Sequence, residues 1–230
     1  MNRYPSPNHE PRPAGVPVDM LVLHYTGMKD GRAALRRLCD PAAKVSAHYL
    51  IEEDGTVFAL VEEDRRAWHA GAGSWRGHDD VNARSIGIEL VNPGHGFGYR
   101  AFPEAQMEAL AELVPDILAR HPIPRRNVVG HADVAPERKE DPGELFDWEW
   151  LAARGIGAWP DADTPVVAAP SRREIVTMLR HWGYGIARDD PKAALIAFQR
   201  HFRATKVDGV ADAESASRLA ALLKKFDHAS

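Results

Sequence analysis

The sequence holds a single cysteine, Cys39, among 230 residues, so no internal disulfide can form and nothing points to an oxidising compartment. Long hydrophobic runs are missing too. No stretch approaches the roughly 20 apolar residues that a membrane-spanning helix needs. The opening segment, MNRYPSPNHEPRPAG, has neither an apolar signal core nor a lipidation cysteine. The expectation is a cytoplasmic protein without a membrane partner. Nor is there an excess of positive charge: the formal net charge is −4, which argues against nucleic acid as the main partner. From Ser171 onward the chain carries +4, leaving −8 for the rest, and that mild basic bias reads as the solvated surface of helices. Internal repeats and low-complexity runs are also absent.

What is present is ordinary globular material. Apolar residues make up 44% and charged residues 27%, enough to bury a sizeable core. The length suits one medium domain plus a small module. Residues 1–17 are polar and proline-rich, and read as a surface arm. Val18 to Leu23 (VDMLVL) reads as a strand buried on both faces and ends at His24. Gly31 to Cys39 has helical character, with Leu35 and Leu38 facing inward. Ala47–Ile51 and Val57–Val61 flank an Asp54-Gly55 pair, the clearest hairpin signal in the chain. Arg66 to Trp75 has no period and reads as a loop. Ser85 to Val91 (SIGIELV) reads as another strand. Pro103 to Arg120 reads as the main helix, which Pro115 should kink or split by removing a backbone donor. The expected fold is α/β, a mixed central β-sheet flanked by helices. Residues 18–154 form this domain and residues 155–170 a glycine-, proline- and alanine-rich linker. Residues 171–227 then form a small C-terminal three-helix bundle, opened by a Ser171–Glu174 capping box.

Candidate chemistry gathers on VVGHADVAPERKEDPG, residues 128–143. His131 follows a short apolar strand, and Asp141 precedes Pro142, which biases it to an extended conformation. His24 has a matching place at the end of its own apolar strand. His24, His131 and Asp141 together make an N2O donor set with one tetrahedral position open, the pattern of a catalytic zinc; magnesium would want more oxygen ligands. Glu89 alternates with Ile86, Ile88 and Leu90, so it is either a general base with a raised pKa or a carboxylate on the solvated face of an edge strand. Lys139 shares a side with Asp141 if the segment is extended, where it could stabilise an oxyanion. From spacing alone, its charged run Glu137–Glu140 reads as solvent-exposed. Trp68, His69 and Asn82 could line a groove for a sugar or peptide. His48 is either a further site histidine or a satisfied core residue.

Five blocks occur in order: HYT at 24–26, VSAHYLIEEDG at 45–55, AWHAG at 67–71, N-A-R-SIGIEL at 82–90 and GHADVAPERKEDPGELFDW at 130–148. Together they resemble the zinc-dependent N-acetylmuramoyl-L-alanine amidases of the peptidoglycan-recognition-protein class. The resemblance implies one Zn2+ held by His24, His131 and Asp141, with Glu89 and Lys139 assisting catalysis. His48, Trp68, His69 and Asn82 would fall around the substrate groove. The implied reaction is hydrolysis of the amide between N-acetylmuramic acid, or its 1,6-anhydro form, and L-alanine in muropeptides or peptidoglycan. AFQRHFRATKVDGVADAESASRL at 197–219 is similar to a peptidoglycan-binding three-helix module, which either meets the cell wall or covers the amidase domain. The competing expectations are a muropeptide receptor that does not cleave, an exported amidase acting on intact wall, and a zinc hydrolase acting on another amide.

Overall fold

Alternation of apolar side chains builds the centre of the molecule. The computed structural model describes residues 1–161 and 167–226. Its strands are β1 (Asn2–Arg3), β2 (His9–Pro11), β3 (Met20–Tyr25), β4 (Tyr49–Ile51), β5 (Val57–Ala59), β6 (Arg65–Ala67), β7 (Ser85–Leu90) and β8 (Val128–Gly130). Six of them form a mixed sheet in the order β1-β5-β4-β7-β3-β8, with β4, β7, β3 and β8 parallel, while β2 and β6 pair separately. The helices are α1 (Gly31–Leu38), α2 (Val81–Arg84), α3 (Gly94–Phe97), α4 (Glu104–Arg120), α5 (His131–Val134), α6 (Trp148–Ala153), α7 (Arg172–Trp182), α8 (Lys192–Phe202) and α9 (Ala213–Phe226).

Period two sorts the strand residues between two faces. Leu21 and Leu23 of β3, with Ile86, Ile88 and Leu90 of β7, share a core with Met107, Leu110, Val114 and Ile117 of α4. Met20 and Val22 turn the other way and share a core with Val129, Ala132 and Val134, and with Ile175, Leu179, Trp182, Leu195 and Phe198 of the C-terminal helices. The same parity puts His24 and Glu89 on that second face. The β3–β7 register pairs them directly, and β8 brings Gly130 beside Leu23, one step before His131. A row of chemistry therefore forms at the C-terminal ends of parallel strands, where open α/β sheets generally bind ligands.

Several expectations need correction. The arm at 1–17 is stitched down rather than free: β1 and β2 pair with β5 and β6. Ser6 and Asn8 are buried, and Asn8 Nδ2 donates to Asp40 O at 2.9 Å and Val45 O at 2.8 Å. Hydrogen bonds to backbone carbonyls hold it, and these leave no apolar period in the sequence. Helix α4 runs unbroken through Pro115 because the proline lies on the exposed face, where water can satisfy the carbonyl it cannot serve. The supposed loop at 66–75 begins as β6. His131, past the end of its strand, opens the one-turn helix α5, and the Asp141–Pro142 bond is cis. Ile156 and Ala158, assigned to the linker, are core residues. Linker residues 162–166 and module residue 227 lie outside the described residues.

Candidate active site

Three buried side chains converge at the head of this row. His24 Nδ1 and His131 Nδ1 are 2.9 Å apart, and each lies 3.0 Å from Asp141 Oδ2. The three donor atoms form a nearly equilateral triangle, and this is the one metal-capable cluster of its kind among the described residues. Burial, then the neighbouring His131, pushes the His24 pKa down to about 4. Neutral imidazole and ionised carboxylate are the ligating forms.

Local structure explains the convergence. Gly130 lets the returning segment close in, since a Cβ there would fall 2.7 Å from Pro142 Cδ. Ala132 N then donates to Asp141 O at 2.8 Å, tying the carboxylate's backbone to α5. His131 Nε2 is 2.8 Å from the Ala70 carbonyl and must donate to it, leaving Nδ1 as a lone pair toward the triangle. Such outer hydrogen bonds are how metal-binding histidines are usually oriented. The donor set, its charge state and this support all fit a zinc ion.

The triangle opens into a cleft of about 380 Å3 lined by Tyr25, Arg37, Trp68, His69, Glu89, Arg138, Lys139 and Glu140 among others. Glu89 sits on its floor. The second carboxylate oxygen, Oε2, is shielded from solvent and accepts no hydrogen bond. Burial, reinforced by Asp141, raises its pKa well above the ordinary range, with Lys139 opposing. Because β7 lies between β4 and β3, the edge-strand reading of Glu89 does not hold. Lys139, read from its charged run as a solvent residue, is half-buried on the cleft wall and has no ion-pair partner among the described residues.

Of the four residues expected around the groove, two line it and two do not. Trp68 and His69 face the cleft. His48 is fully buried behind it, with Nδ1 accepting from Gly87 N–H at 2.9 Å and Nε2 lying 3.1 Å from Arg65 O, so it is a satisfied core histidine. Asn82 is buried too: its Oδ1 accepts from the backbone N–H of His69 and of Ala70, fixing the 67–71 segment from outside the cleft. Neither side chain is part of the cleft lining. Sequence reasoning passed over Tyr25, Arg37 and Arg138 as cleft residues, and nothing in their spacing marks them.

Comparison with known proteins identifies the family. The family model described as N-acetylmuramoyl-L-alanine amidase matches residues 14–144. The N-acetylmuramoyl-L-alanine amidase AmiD of Escherichia coli is 41% identical over 237 aligned positions, which cover 91% of this chain and 83% of AmiD. A structure of AmiD with the substrate anhydro-N-acetylmuramic acid-L-Ala-D-gamma-Glu-L-Lys superposes with a TM-score of 0.85 over 93% of this chain and 91% of that one, at 39% identity. AmpDH3 from Pseudomonas aeruginosa in complex with anhydromuramic pentapeptide gives a TM-score of 0.84 at 37% identity, over 93% of this chain and 94% of that one. The 1,6-anhydro-N-acetylmuramyl-L-alanine amidase AmpD of Citrobacter freundii is 37% identical over 64% of this chain and 85% of its own length.

Proposed function

Because this chain belongs to the N-acetylmuramoyl-L-alanine amidase family, we propose that its cleft hydrolyses the amide between (1,6-anhydro-)N-acetylmuramic acid and L-alanine in muropeptides, as a step of cell-wall recycling. The observation that carries the reading is the donor triangle of His24, His131 and Asp141 set beside a carboxylate with one bare buried oxygen. The triangle would hold one zinc ion, which supplies Lewis acidity to polarise the amide carbonyl and lower the pKa of an attacking water.

The chain's own groups complete the chemistry. Glu89, kept basic enough by burial, takes the proton from the attacking water. It then delivers that proton to the departing amine of L-alanine. Lys139 places an ammonium beside the carboxylates, where negative charge grows on the carbonyl oxygen as the tetrahedral species forms. Trp68 offers a flat apolar wall suited to a sugar ring or a peptide stem. The relatives solved with anhydromuramyl peptides support substrates of this class. A cytoplasmic setting is part of the proposal, and fractionation of the native, untagged protein tests it.

Digestion of purified muropeptides followed by mass spectrometry is the direct test. Free stem peptide beginning with L-alanine, and a sugar bearing an intact lactyl carboxylate, are the expected products. Recovery of uncut lactyl amide from a zinc-loaded protein would reduce the chain to a muropeptide receptor.

A further inference from the structure

His69 lines the cleft, yet both of its ring nitrogens are spent inside the protein. Nδ1 lies 2.9 Å from His24 Nε2, and Nε2 lies 3.1 Å from Ser85 Oγ. Ser85 Oγ in turn donates its one hydrogen to the Val81 carbonyl at 2.7 Å. A carbonyl can only accept, so the direction of the whole chain follows. With its hydrogen committed, Ser85 Oγ must accept from His69 Nε2–H. A neutral His69 then presents a lone pair at Nδ1, which must accept from His24 Nε2–H. His24 is left with its lone pair at Nδ1, the atom in the donor triangle.

We propose that His69 and Ser85 are positioning residues that fix the tautomer of His24, so that its Nδ1 faces the metal site as a ligand and not as an N–H. The inference deepens the zinc reading and rests on it. Its force comes from the alternative. If the chain ran in the opposite direction, His69 Nδ1–H would donate to His24 Nε2, and His24 Nδ1–H would donate to Asp141 Oδ2, 3.0 Å away. That arrangement satisfies both imidazoles but takes the Ser85 hydrogen away from the Val81 carbonyl, and it closes the site to a cation. Only the Ser85 hydroxyl, anchored on Val81, separates the two directions. His69 is buried and both of its ring nitrogens are taken up in hydrogen bonds, so the ring passes direction from Ser85 to His24. Gly87 makes the stack sterically possible, because a Cβ on it would lie 2.5 Å from His69 Cγ.

Four proteins test this: the wild type, Ser85→Ala, His69→Asn and His69→Leu. Zinc affinity is measured by chelator competition, and ring tautomers by nitrogen NMR on the metal-free forms. Stoichiometric zinc on the wild type checks the underlying reading separately. In metal-free wild type, His24 should carry its proton on Nε2. His69→Asn keeps an acceptor near the Nδ1 position and should hold zinc within a few-fold of wild type. His69→Leu removes it, and Ser85→Ala frees the direction; each should weaken zinc ~10- to 100-fold. Ser85→Ala should also shift His24 toward Nδ1–H. A packing role alone would lower thermal stability with affinity and tautomer unchanged. The proposal is overturned if wild-type His24 carries its proton on Nδ1, or if Ser85→Ala binds zinc like the wild type. Because Ser85→Ala removes one hydroxyl, it serves as the deciding variant should His69→Leu not fold.

Discussion

Glu89 is the residue at which binding and chemistry can be separated. Glu89→Gln keeps the shape of the cleft floor and leaves the donor triangle intact, so zinc content should stay at one per chain while kcat falls ~10²- to 10⁴-fold. His131→Ala should lose both metal and activity; full zinc in that variant would refute the ligand assignment. His48 makes a different kind of prediction. Burial, then the nearby Arg12 guanidinium, lowers its pKa to about 3, and its Nδ1 accepts a backbone N–H that a second proton would oppose. The folded state thus binds fewer protons than the unfolded chain between about pH 3 and the ordinary histidine value near 6.5. Its contribution to stability is full above that range and is lost as the pH falls through it. Thermal midpoints measured from pH 7 to pH 4 should decline, and His48→Gln should flatten part of that decline. An unchanged slope in the variant would show that other groups carry the acid sensitivity.

At the scale of elements, one strand face carries much of the site. Ser85, Gly87 and Glu89 alternate along β7 and all point away from α4: one sets a tautomer, one makes room, one does chemistry. Gly87→Ala should therefore push His69 out of line, lowering zinc affinity and the thermal midpoint together. In a His69→Ala background the same change should cost much less, because the clash has gone; equal costs in both backgrounds would contradict this account. Helix α4 gives the opposite case, a residue that breaks a rule and performs no visible task. Pro115→Ala restores a donor in a continuous helix and should stabilise the fold by about 1–3 kcal/mol with activity unchanged. Strands β3, β4, β5, β7 and β8, helix α4 and the C-terminal helices are legible from apolar spacing. The arm is not, because Ser6, Asn8 and Arg12 are held by hydrogen bonds to carbonyls of residues 30 to 73 positions away. Polar side chains bonded to distant backbone leave no periodic trace.

At the scale of the molecule, the C-terminal helices are fused to the sheet. They share one core with β3, β8 and α5. Buried polar contacts join them as well: Asp133 of α5 receives Tyr184 Oη–H at 2.6 Å and lies 2.7 Å from His201 Nδ1. The same carboxylate accepts Gly130 N–H at 2.7 Å, directly before His131, so the module braces the helix that carries a candidate ligand. Calorimetry of the whole chain should show a single unfolding transition. Two well-separated transitions would show that the module is an independent body. Tyr184→Phe leaves Asp133 one donor short and should lower the midpoint of that single transition, by about 1–3 kcal/mol in stability.

The sequence by itself determined the alternation that builds the sheet and the residues able to hold a metal and move a proton, because residue type and short-range periodicity are local properties. It singled out His24, His131, Asp141 and Glu89 as candidates, and placed Glu89 on the face opposite the apolar side of its strand. Only the tertiary structure decided which histidines do what. His24, His48, His69 and His131 look equivalent in one dimension. Burial and hydrogen-bond partners contributed from distant segments put two of them in the donor triangle, one behind it, and one in the core away from the cleft. The direction of a chain of hydrogen bonds depends on its far end, here a carbonyl on α2, and no local pattern in the sequence records that.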